Sequence, residues 1–320
     1  MKAHPRSAFD AHPPRGRHQR PGEAGSAVAR AGVTATLARD VISLFKLRIG
    51  TLIMVTALVG LAVTPGASLG AGQVLVLALS VLVASASAGA FNQYVEHDSD
   101  RLMARTRGRA FVTGALPHHP GWLLLIGVML AGSVAAAWYS LNAMAAMYVF
   151  LGAFFYAVVY TVWLKRRSAW NIVIGGLAGS FAVLAGAAAA DPTPGPLPLL
   201  LALVLFLWTP PHFWSLAIAN RADYAAAGVP MLPVVVGTER AARIVFYSTA
   251  ALVAASLLPL AFGAGPVYAL GAAGGGFHFL RKSWQLARHP DRKSAMGSFF
   301  ASLIQLSALL VAATLDGLLR

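Results

Sequence analysis

Three side chains that carry oxygen ligands recur at a helical spacing around residue 96. Asn92, Glu96 and Asp100 are four residues apart, so on a helix they share one face, and Asp98 lies between the last two. Carboxylate and amide oxygens suit Mg²⁺, a hard cation that proteins commonly hold with a few carboxylates and substrate phosphates. Clustered carboxylates repel one another, and a bound cation would offset that cost. The spacing therefore predicts a magnesium site, with a solvated, salt-bridged loop as the alternative.

Basic side chains follow this acidic segment at the same spacing. Arg101, Arg105 and Arg109 come directly after it, and guanidinium groups bind phosphate oxygens well. A solvated loop would show the same basic residues, so the arginines alone do not decide between the two interpretations. Together with the neighbouring carboxylates they favour a site for a phosphorylated substrate.

A second polar segment covers residues 208–233. Pro210 and Pro211 interrupt an apolar run there, and we expect them to break its helix, with His212 directly after the break. Broken helices in membranes usually line a cavity or a buried site. His212 is therefore either functional or a hydrogen-bonded structural histidine. Asn220 and Asp223 follow as a potential second ligand set or as plain loop residues.

The composition excludes a soluble enzyme and a disordered chain. Of the 320 residues, 58% are hydrophobic and 11% are charged, and the mean hydropathy is +0.67. Soluble domains usually have about a quarter of their residues charged, so this chain lacks the polar residues to cover a globule of its size. The absence of cysteine excludes a disulfide scaffold and a cysteine metal site.

Apolar runs of membrane-spanning length begin at residue 44. A helix that crosses a bilayer needs about 20 such residues, and frequent small residues let helices pack closely in lipid. We expect spans at residues 44–63, 74–95, 121–139, 143–163, 170–190, 197–219, 244–262, 264–280 and 296–315. The predicted fold class is an all-α polytopic membrane protein, with about nine transmembrane helices around a central cavity open to the cytoplasmic side.

The net charge of +14 could indicate a nucleic-acid partner, but the basic residues are distributed by membrane face, which argues against one. Nine spans place 24 of the 25 lysines and arginines on one face, and Arg320 alone lies opposite. Such a bias marks the cytoplasmic face, or the matrix face in a mitochondrion. We expect a bacterial cytoplasmic (inner) membrane protein with a cytoplasmic N terminus, the mitochondrial inner membrane being the alternative. Two long loops on this face, 96–120 and 220–243, carry the polar motifs.

Residues 1–39 differ from the rest of the chain. They are rich in arginine, contain scattered prolines and show no hydrophobic periodicity, which predicts a basic, mostly disordered cytoplasmic tail. A mitochondrial presequence is the alternative, although the prolines would break the amphipathic helix that it needs. Residues 40–320 then form the membrane domain.

The motifs together resemble the UbiA-type intramembrane prenyltransferases, and within that family the branch that farnesylates heme. The likeness extends over roughly residues 40–315. It rests on the stretches 46–48, 92–106, 160–176 and 208–233. Glu96 stands where the family usually has aspartate, and Leu47 and Ala110 replace usual prolines. None of these departures removes a ligand type.

The resemblance implies transfer of a farnesyl group from farnesyl diphosphate to a vinyl group of heme b, with addition of water, in heme O and heme A biosynthesis for terminal oxidases. It implies Mg²⁺ as cofactor. The implied catalytic residues are Asn92, Glu96, Asp100 and Asp223, and the metal ligands are these four with Asp98 and Asn220. The implied diphosphate-binding residues are Lys46, Arg48, Arg105, Tyr160, Lys165 and Arg166, and the implied heme-binding residue is His212. The implied partners are the two substrates and the bilayer, with possible contact with a heme A synthase or oxidase assembly factors.

Other functions remain open at this point. A prenyltransferase of the same architecture acting on an aromatic or quinone precursor would carry similar motifs. The sequence gives little information about the cavity that binds the acceptor, so it does not exclude this alternative. Transporters also contain intramembrane carboxylates and broken helices. The gathering of charged groups on one face, with nearly uncharged loops on the other, disfavours transport.

Overall fold

The computed structural model describes residues 38–319, and the expected tail at 1–39 lies outside that range except for its last two residues. Within the described range the chain forms helices and no strand. The helices are α1 Ala38–Leu44, α2 Leu47–Ala62, α3 Ala71–Val95, α4 His97–Asp100, α5 Ala110–Thr113, α6 Gly121–Ser140, α7 Ala143–Phe154, α8 Asn171–Gly175, α9 Leu177–Ala190, α10 Pro196–Ala219, α11 Arg221–Ala226, α12 Leu232–Val236, α13 Thr238–Ala255, α14 Pro266–Arg288 and α15 Arg292–Leu318.

The long helices make this an all-helical membrane protein. In residues 38–319, seven helices are long and apolar enough to span a bilayer, and α1 with α2 forms a further pair, bent by 44°. Helix α14 has 23 residues and occupies the predicted eighth run, but its glycines, His278, Arg281 and Lys282 make it less apolar than the others. The structure confirms the fold class and does not confirm the count of nine spans.

The predicted break at Pro210 and Pro211 is wrong. Both prolines lie buried inside α10, which continues through them to Ala219. Each proline removes one hydrogen bond from the helix. Helix α10 packs against α9, α13 and α15, and this packing keeps it continuous. In membrane proteins, neighbouring helices commonly compensate for the hydrogen bonds that prolines remove.

An irregular segment directly follows α7 instead. After Phe154 the helix continues as a π-helix over Phe155–Leu164. Its wider turns show in the backbone, where the amide of Lys165 donates to the carbonyl of Tyr160, five residues back, at 2.9 Å. The hydroxyl of Thr161 likewise donates to the carbonyl of Tyr156 at 2.8 Å. Single π-helical stretches are frequent at functional sites.

Two glycines bring α2 and α9 into backbone contact. A Cβ atom on Gly186 would lie 1.7 Å from the carbonyl oxygen of Ala57, and one on Gly60 would lie 2.1 Å from that of Val183. Real Cβ atoms do not approach so closely, so only glycine fits at either position. This contact is the close packing that the small residues predicted.

Candidate active site

Lys46 connects three elements at one end of the bundle. Its Nζ donates to Oδ1 of Asn92 on α3 at 2.7 Å and to the hydroxyl of Tyr156 in the π-helical segment at 3.3 Å. Nδ2 of Asn92 in turn donates to Oγ1 of Thr161 at 3.0 Å. Among residues 38–319, Lys46 is the only non-glycine residue with a positive φ, 48°, and it forms the bend between α1 and α2. The π-helical segment therefore helps to position both the lysine and the amide.

Two buried carboxylates lie beside Asn92. Glu96 is 6% exposed and Asp100 is fully buried. Nζ of Lys165 contacts Oε1 of Glu96, and Nη1 of Arg109 lies 2.5 Å from Oδ2 of Asp100 and 3.7 Å from Oε2 of Glu96. Burial raises the pKa of the Asp100 carboxyl, and the Arg109 guanidinium opposes that shift. One arginine touches both carboxylates, so the two acids converge on the same point.

Asn92, Glu96 and Asp100, with the cations Lys46, Arg109 and Lys165 beside them, form a charged cluster. Its oxygen atoms fit a magnesium ion whose coordination shell is completed by a substrate. Oδ1 of Asp100 is buried and has no hydrogen-bond partner in the described part of the chain. No group of three or more histidine, cysteine, aspartate or glutamate side chains in residues 38–319 is arranged as a metal site. Two carboxylates and one amide can all bind a metal through oxygen. Mg²⁺ is commonly bound by one or two carboxylates, with substrate phosphates completing its coordination shell.

Several predicted site residues form no hydrogen bond or ion pair with Asn92, Glu96 or Asp100 in the described part of the chain. The Asp98 side chain is 90% exposed and pairs with Nδ1 of His97 at 3.0 Å. Arg48 and Arg166 are exposed at the surface. Asn220 donates to the carbonyl of Leu216 at 2.8 Å, and Asp223 is half-buried in α11.

The second polar loop reaches the first through a tyrosine. Nη2 of Arg105 donates to the hydroxyl of Tyr224, which follows Asp223 directly, at 3.1 Å. The guanidinium carbon lies 5.3 Å from the centroid of the same ring. Tyr224 is 4% exposed, and burial raises the pKa of its hydroxyl. The loops 96–120 and 220–243 therefore lie on one face, as the sequence predicted.

Aromatic rings line the cluster on the side of α7. The rings of Tyr156 and Tyr160 stack with their centroids 5.7 Å apart. Nζ of Lys46 lies 5.8 Å from the Tyr156 centroid, and Nζ of Lys165 lies 5.6 Å from the Tyr160 centroid. Sequence reasoning named Tyr160 and missed Tyr156. The four-residue spacing of the two tyrosines, which places both on one helix face, is the signal that could have found it.

An apolar cavity extends from the cluster between α2, α3, α7 and α9. The space between these helices, counted together with its open mouth, is about 590 Å³, and Lys46 and Tyr156 lie in its wall. The rest of its wall consists mainly of small and aliphatic side chains, among them Ile53, Ala84, Ala88, Gly152, Ala182 and Ala185. Small side chains leave room for a long apolar chain whose charged end would meet the cluster.

His212 occupies a separate environment between α10 and α15. It is 6% exposed, and its ring stacks with Trp208, at 4.1 Å between centroids, and with Phe299, at 4.6 Å. Its Nδ1 lies 2.7 Å from Oγ of Ser302. Because α10 is continuous, His212 does not lie at a helix break as predicted. Its position depends instead on the packing of α10 against α15.

Comparison with known proteins places the chain among enzymes that transfer prenyl groups. The model of the UbiA prenyltransferase family matches residues 53–304, and the chain belongs to that family. It is 57% identical over 279 residues to protoheme IX farnesyltransferase 2 of Paramagnetospirillum magneticum, covering 87% of this chain and 96% of that protein. Over 295 residues it is 39% identical to protoheme IX farnesyltransferase of Granulibacter bethesdensis, covering 87% and 90%.

Solved structures share the fold. A digeranylgeranylglyceryl phosphate synthase aligns with a TM-score of 0.74 at 16% identity, covering 89% of this chain and all of that one. A UbiA homolog from Archaeoglobus fulgidus bound to GPP and Mg²⁺ aligns with a TM-score of 0.65 at 15% identity, covering 84% and 99%. At these identities the likeness shows the fold alone.

Proposed function

We propose that the protein transfers the farnesyl group of farnesyl diphosphate to a vinyl group of heme b, with addition of water and release of diphosphate, to give heme O. The relatives named protoheme IX farnesyltransferase support this activity. The observation that carries it is the position of Lys46 and Tyr156 in both the charged cluster and the wall of the apolar cavity. Farnesyl diphosphate has the same two parts, a charged diphosphate and a long apolar chain.

Fixed cations would stabilise the leaving diphosphate. Cleavage of the allylic C–O bond builds negative charge on it, and preorganised cations in a buried site stabilise such charge strongly. Lys46, Lys165 and Arg105 provide these cations, and we add Arg109 because it lies against both carboxylates. Arg48 and Arg166 are exposed, so we assign them no direct contact with the diphosphate.

We assign Mg²⁺ to Asn92, Glu96 and Asp100, with Asp223 and Asn220 as further ligands from the second loop. When bound, the ion would supply charge neutralisation at the diphosphate. The Archaeoglobus fulgidus homolog bound to GPP and Mg²⁺ supports this choice of metal. Asp98 is exposed and paired with His97, which places it outside the proposed ligand set.

The apolar cavity would protect the reactive intermediate. Excluding bulk water from the allylic cation prevents its early hydrolysis. The faces of Tyr156 and Tyr160 already lie near the ammonium groups of Lys46 and Lys165. Aromatic faces attract cations, so these rings can also stabilise positive charge on the farnesyl group.

His212 is our proposed heme-binding residue. Imidazole is a common ligand of heme iron, and this ring is buried among aromatic side chains that suit a porphyrin.

We further propose that the protein lies in a bacterial inner membrane with the charged cluster on the cytoplasmic side, where both substrates enter. Contact with a heme A synthase or oxidase assembly factors would deliver the product.

The test is prenyl transfer by the purified protein with Mg²⁺, heme b and farnesyl diphosphate, followed by mass analysis of the porphyrin. We expect one farnesyl group and one hydroxyl group to be added to heme b, because the remaining proton of the water is released with the diphosphate. A parallel reaction offers 4-hydroxybenzoate with labelled farnesyl diphosphate. Transfer to 4-hydroxybenzoate without transfer to heme would contradict the proposal and favour the aromatic-acceptor alternative.

A further inference from the structure

One hydroxyl determines which nitrogen of His212 carries the proton. Oγ of Ser302 lies 2.7 Å from Nδ1 of His212 and 2.6 Å from the carbonyl oxygen of Phe299. A serine hydroxyl has one hydrogen to donate, and a carbonyl oxygen can only accept. The Ser302 hydroxyl therefore donates to Phe299, and Nδ1 of His212 must donate to Oγ. The proton of a neutral ring then lies on Nδ1, and Nε2 keeps its lone pair.

The surrounding side chains hold the ring in this orientation. The rings of Trp208 and Phe299 stack on His212 at interplanar angles of 19° and 27°, and because two rings cannot share one face, they cover both. The indole Nε1 of Trp208 also donates to the backbone carbonyl of Ser302 at 2.9 Å, which joins α10 to α15 at this point. Rotation of the ring by 180° would place a carbon atom against the buried Ser302 hydroxyl and lose the hydrogen bond.

The other nitrogen of His212 has no partner in the described part of the protein. Within residues 38–319, Nε2 forms no hydrogen bond, whereas Nδ1 bonds to Ser302. An imidazole that donates from one nitrogen and keeps a lone pair on the other is the form that binds iron. In protein metal sites the donated hydrogen bond fixes the tautomer and raises the basicity of the ligating nitrogen.

We infer that Ser302 is a positioning residue that fixes His212 as the Nδ1-protonated tautomer, so that Nε2 binds the iron of the substrate heme. This inference rests on the proposed function, because heme is the proposed substrate. A hydroxyl that only satisfied a buried histidine would stabilise the fold and leave the iron unaffected. Ser302 instead acts on the iron through the ring, which makes its effect visible in the spectrum of the bound heme.

The experiment compares Ser302→Thr with Ser302→Val, two substitutions of the same shape that differ in the hydroxyl. The full-length proteins are purified, loaded with heme b without farnesyl diphosphate, and reduced. Two quantities are measured: the heme affinity and the iron–histidine stretching frequency in the resonance Raman spectrum. We expect Ser302→Thr to match the wild-type protein. Ser302→Val should bind heme about 10- to 100-fold more weakly and shift the stretching frequency downwards.

Three further variants give controls. Ser298→Val removes another buried hydroxyl of α15, one that pairs with Ser215, and should leave the frequency unchanged. Ser302→Ala removes the hydroxyl without added volume and decides the outcome if Ser302→Val does not fold. His212→Ala should abolish the iron–histidine band.

The outcomes separate this inference from the proposed function. Equal frequencies and affinities for the threonine and valine variants would overturn the role of Ser302, and an unchanged band in His212→Ala would overturn the ligand assignment itself. A wild-type protein that shows the predicted spectra but forms no farnesylated porphyrin would contradict the proposed function while leaving the role of Ser302 supported.

Discussion

Arg105 and Tyr224 are 119 residues apart in the chain, and Nη2 of the arginine donates a hydrogen bond to the tyrosine hydroxyl at 3.1 Å. Arg105 belongs to the loop after α4, and Tyr224 belongs to α11, which follows α10. The hydrogen bond therefore joins the two polar loops of the protein directly. It also places Asp223, the neighbour of Tyr224, beside a residue that contacts the first polar loop.

Tyr224→Phe removes only the hydroxyl that accepts this hydrogen bond. Hydrogen bonds to charged groups contribute about 1.5–3 kcal/mol, so we expect kcat/KM for farnesyl diphosphate to fall at least about tenfold. Steady-state kinetics with heme b in excess measures the effect. Tyr247→Phe, at an exposed position of α13, is the control and should leave kcat/KM unchanged. Equal kinetics for the two variants would show that the joined loops do not contribute to substrate binding.

Asp98 and Asp100 offer a matched pair two residues apart. Asp100→Asn removes a buried carboxylate charge from the proposed metal site, and we expect turnover to fall by at least about 100-fold. Asp98→Asn alters a side chain that is 90% exposed and should keep near wild-type turnover. Initial rates over a range of Mg²⁺ concentrations measure both variants. A larger loss in Asp98→Asn than in Asp100→Asn would reverse the assignment of the metal ligands.

Lys165→Met leaves the buried Glu96 carboxylate without its closest cation. Removing one partner of a buried ion pair usually costs about 3–5 kcal/mol, so we expect a loss of this order in the free energy of unfolding. The neighbouring Arg166→Met changes an exposed side chain and should alter it by less than about 0.5 kcal/mol. Unfolding in detergent without added metal or substrate gives both values. Similar stability of the two variants would mean that the contact between Lys165 and Glu96 does not stabilise the folded protein.

The contact between α2 and α9 depends on glycine. Gly186→Ala would place a methyl group 1.7 Å from the carbonyl oxygen of Ala57, and we expect a loss of about 1–3 kcal/mol or more in the free energy of unfolding. Gly179→Ala lies on the same helix and meets no atom within 4 Å, so it should be neutral or slightly stabilising. Thermal unfolding of both variants in one detergent tests the difference. If Gly186→Ala were as stable as Gly179→Ala, the two helices would not be in backbone contact.

Local patterns made much of the fold predictable. Long apolar runs specify membrane helices, because the bilayer requires every backbone polar group to be satisfied within the helix. The four-residue spacing of Asn92, Glu96 and Asp100 also predicted a shared face, and the structure buries all three side chains there. These inferences need only the geometry of one helix and its solvent.

The remaining features depend on residues that are distant in sequence. The continuity of α10 through Pro210 and Pro211 depends on neighbouring helices, so a rule based on proline alone was wrong there. The partners of Glu96 and His212, which are Lys165 and Ser302, are 69 and 90 residues away from them. No spacing rule connects such pairs, because the packing of whole helices brings them together.

The π-helical segment at Phe155–Leu164 sets the direction in which Lys165 projects. An α-helix turns by about 100° for each residue, and a π-helix, with wider turns, rotates by less. The same ten residues in regular α-helix would rotate Lys165 away from Glu96, although every residue of the cluster would still be present. The spatial arrangement of the cluster therefore depends on the helical form of this segment as well as on the identity of its residues.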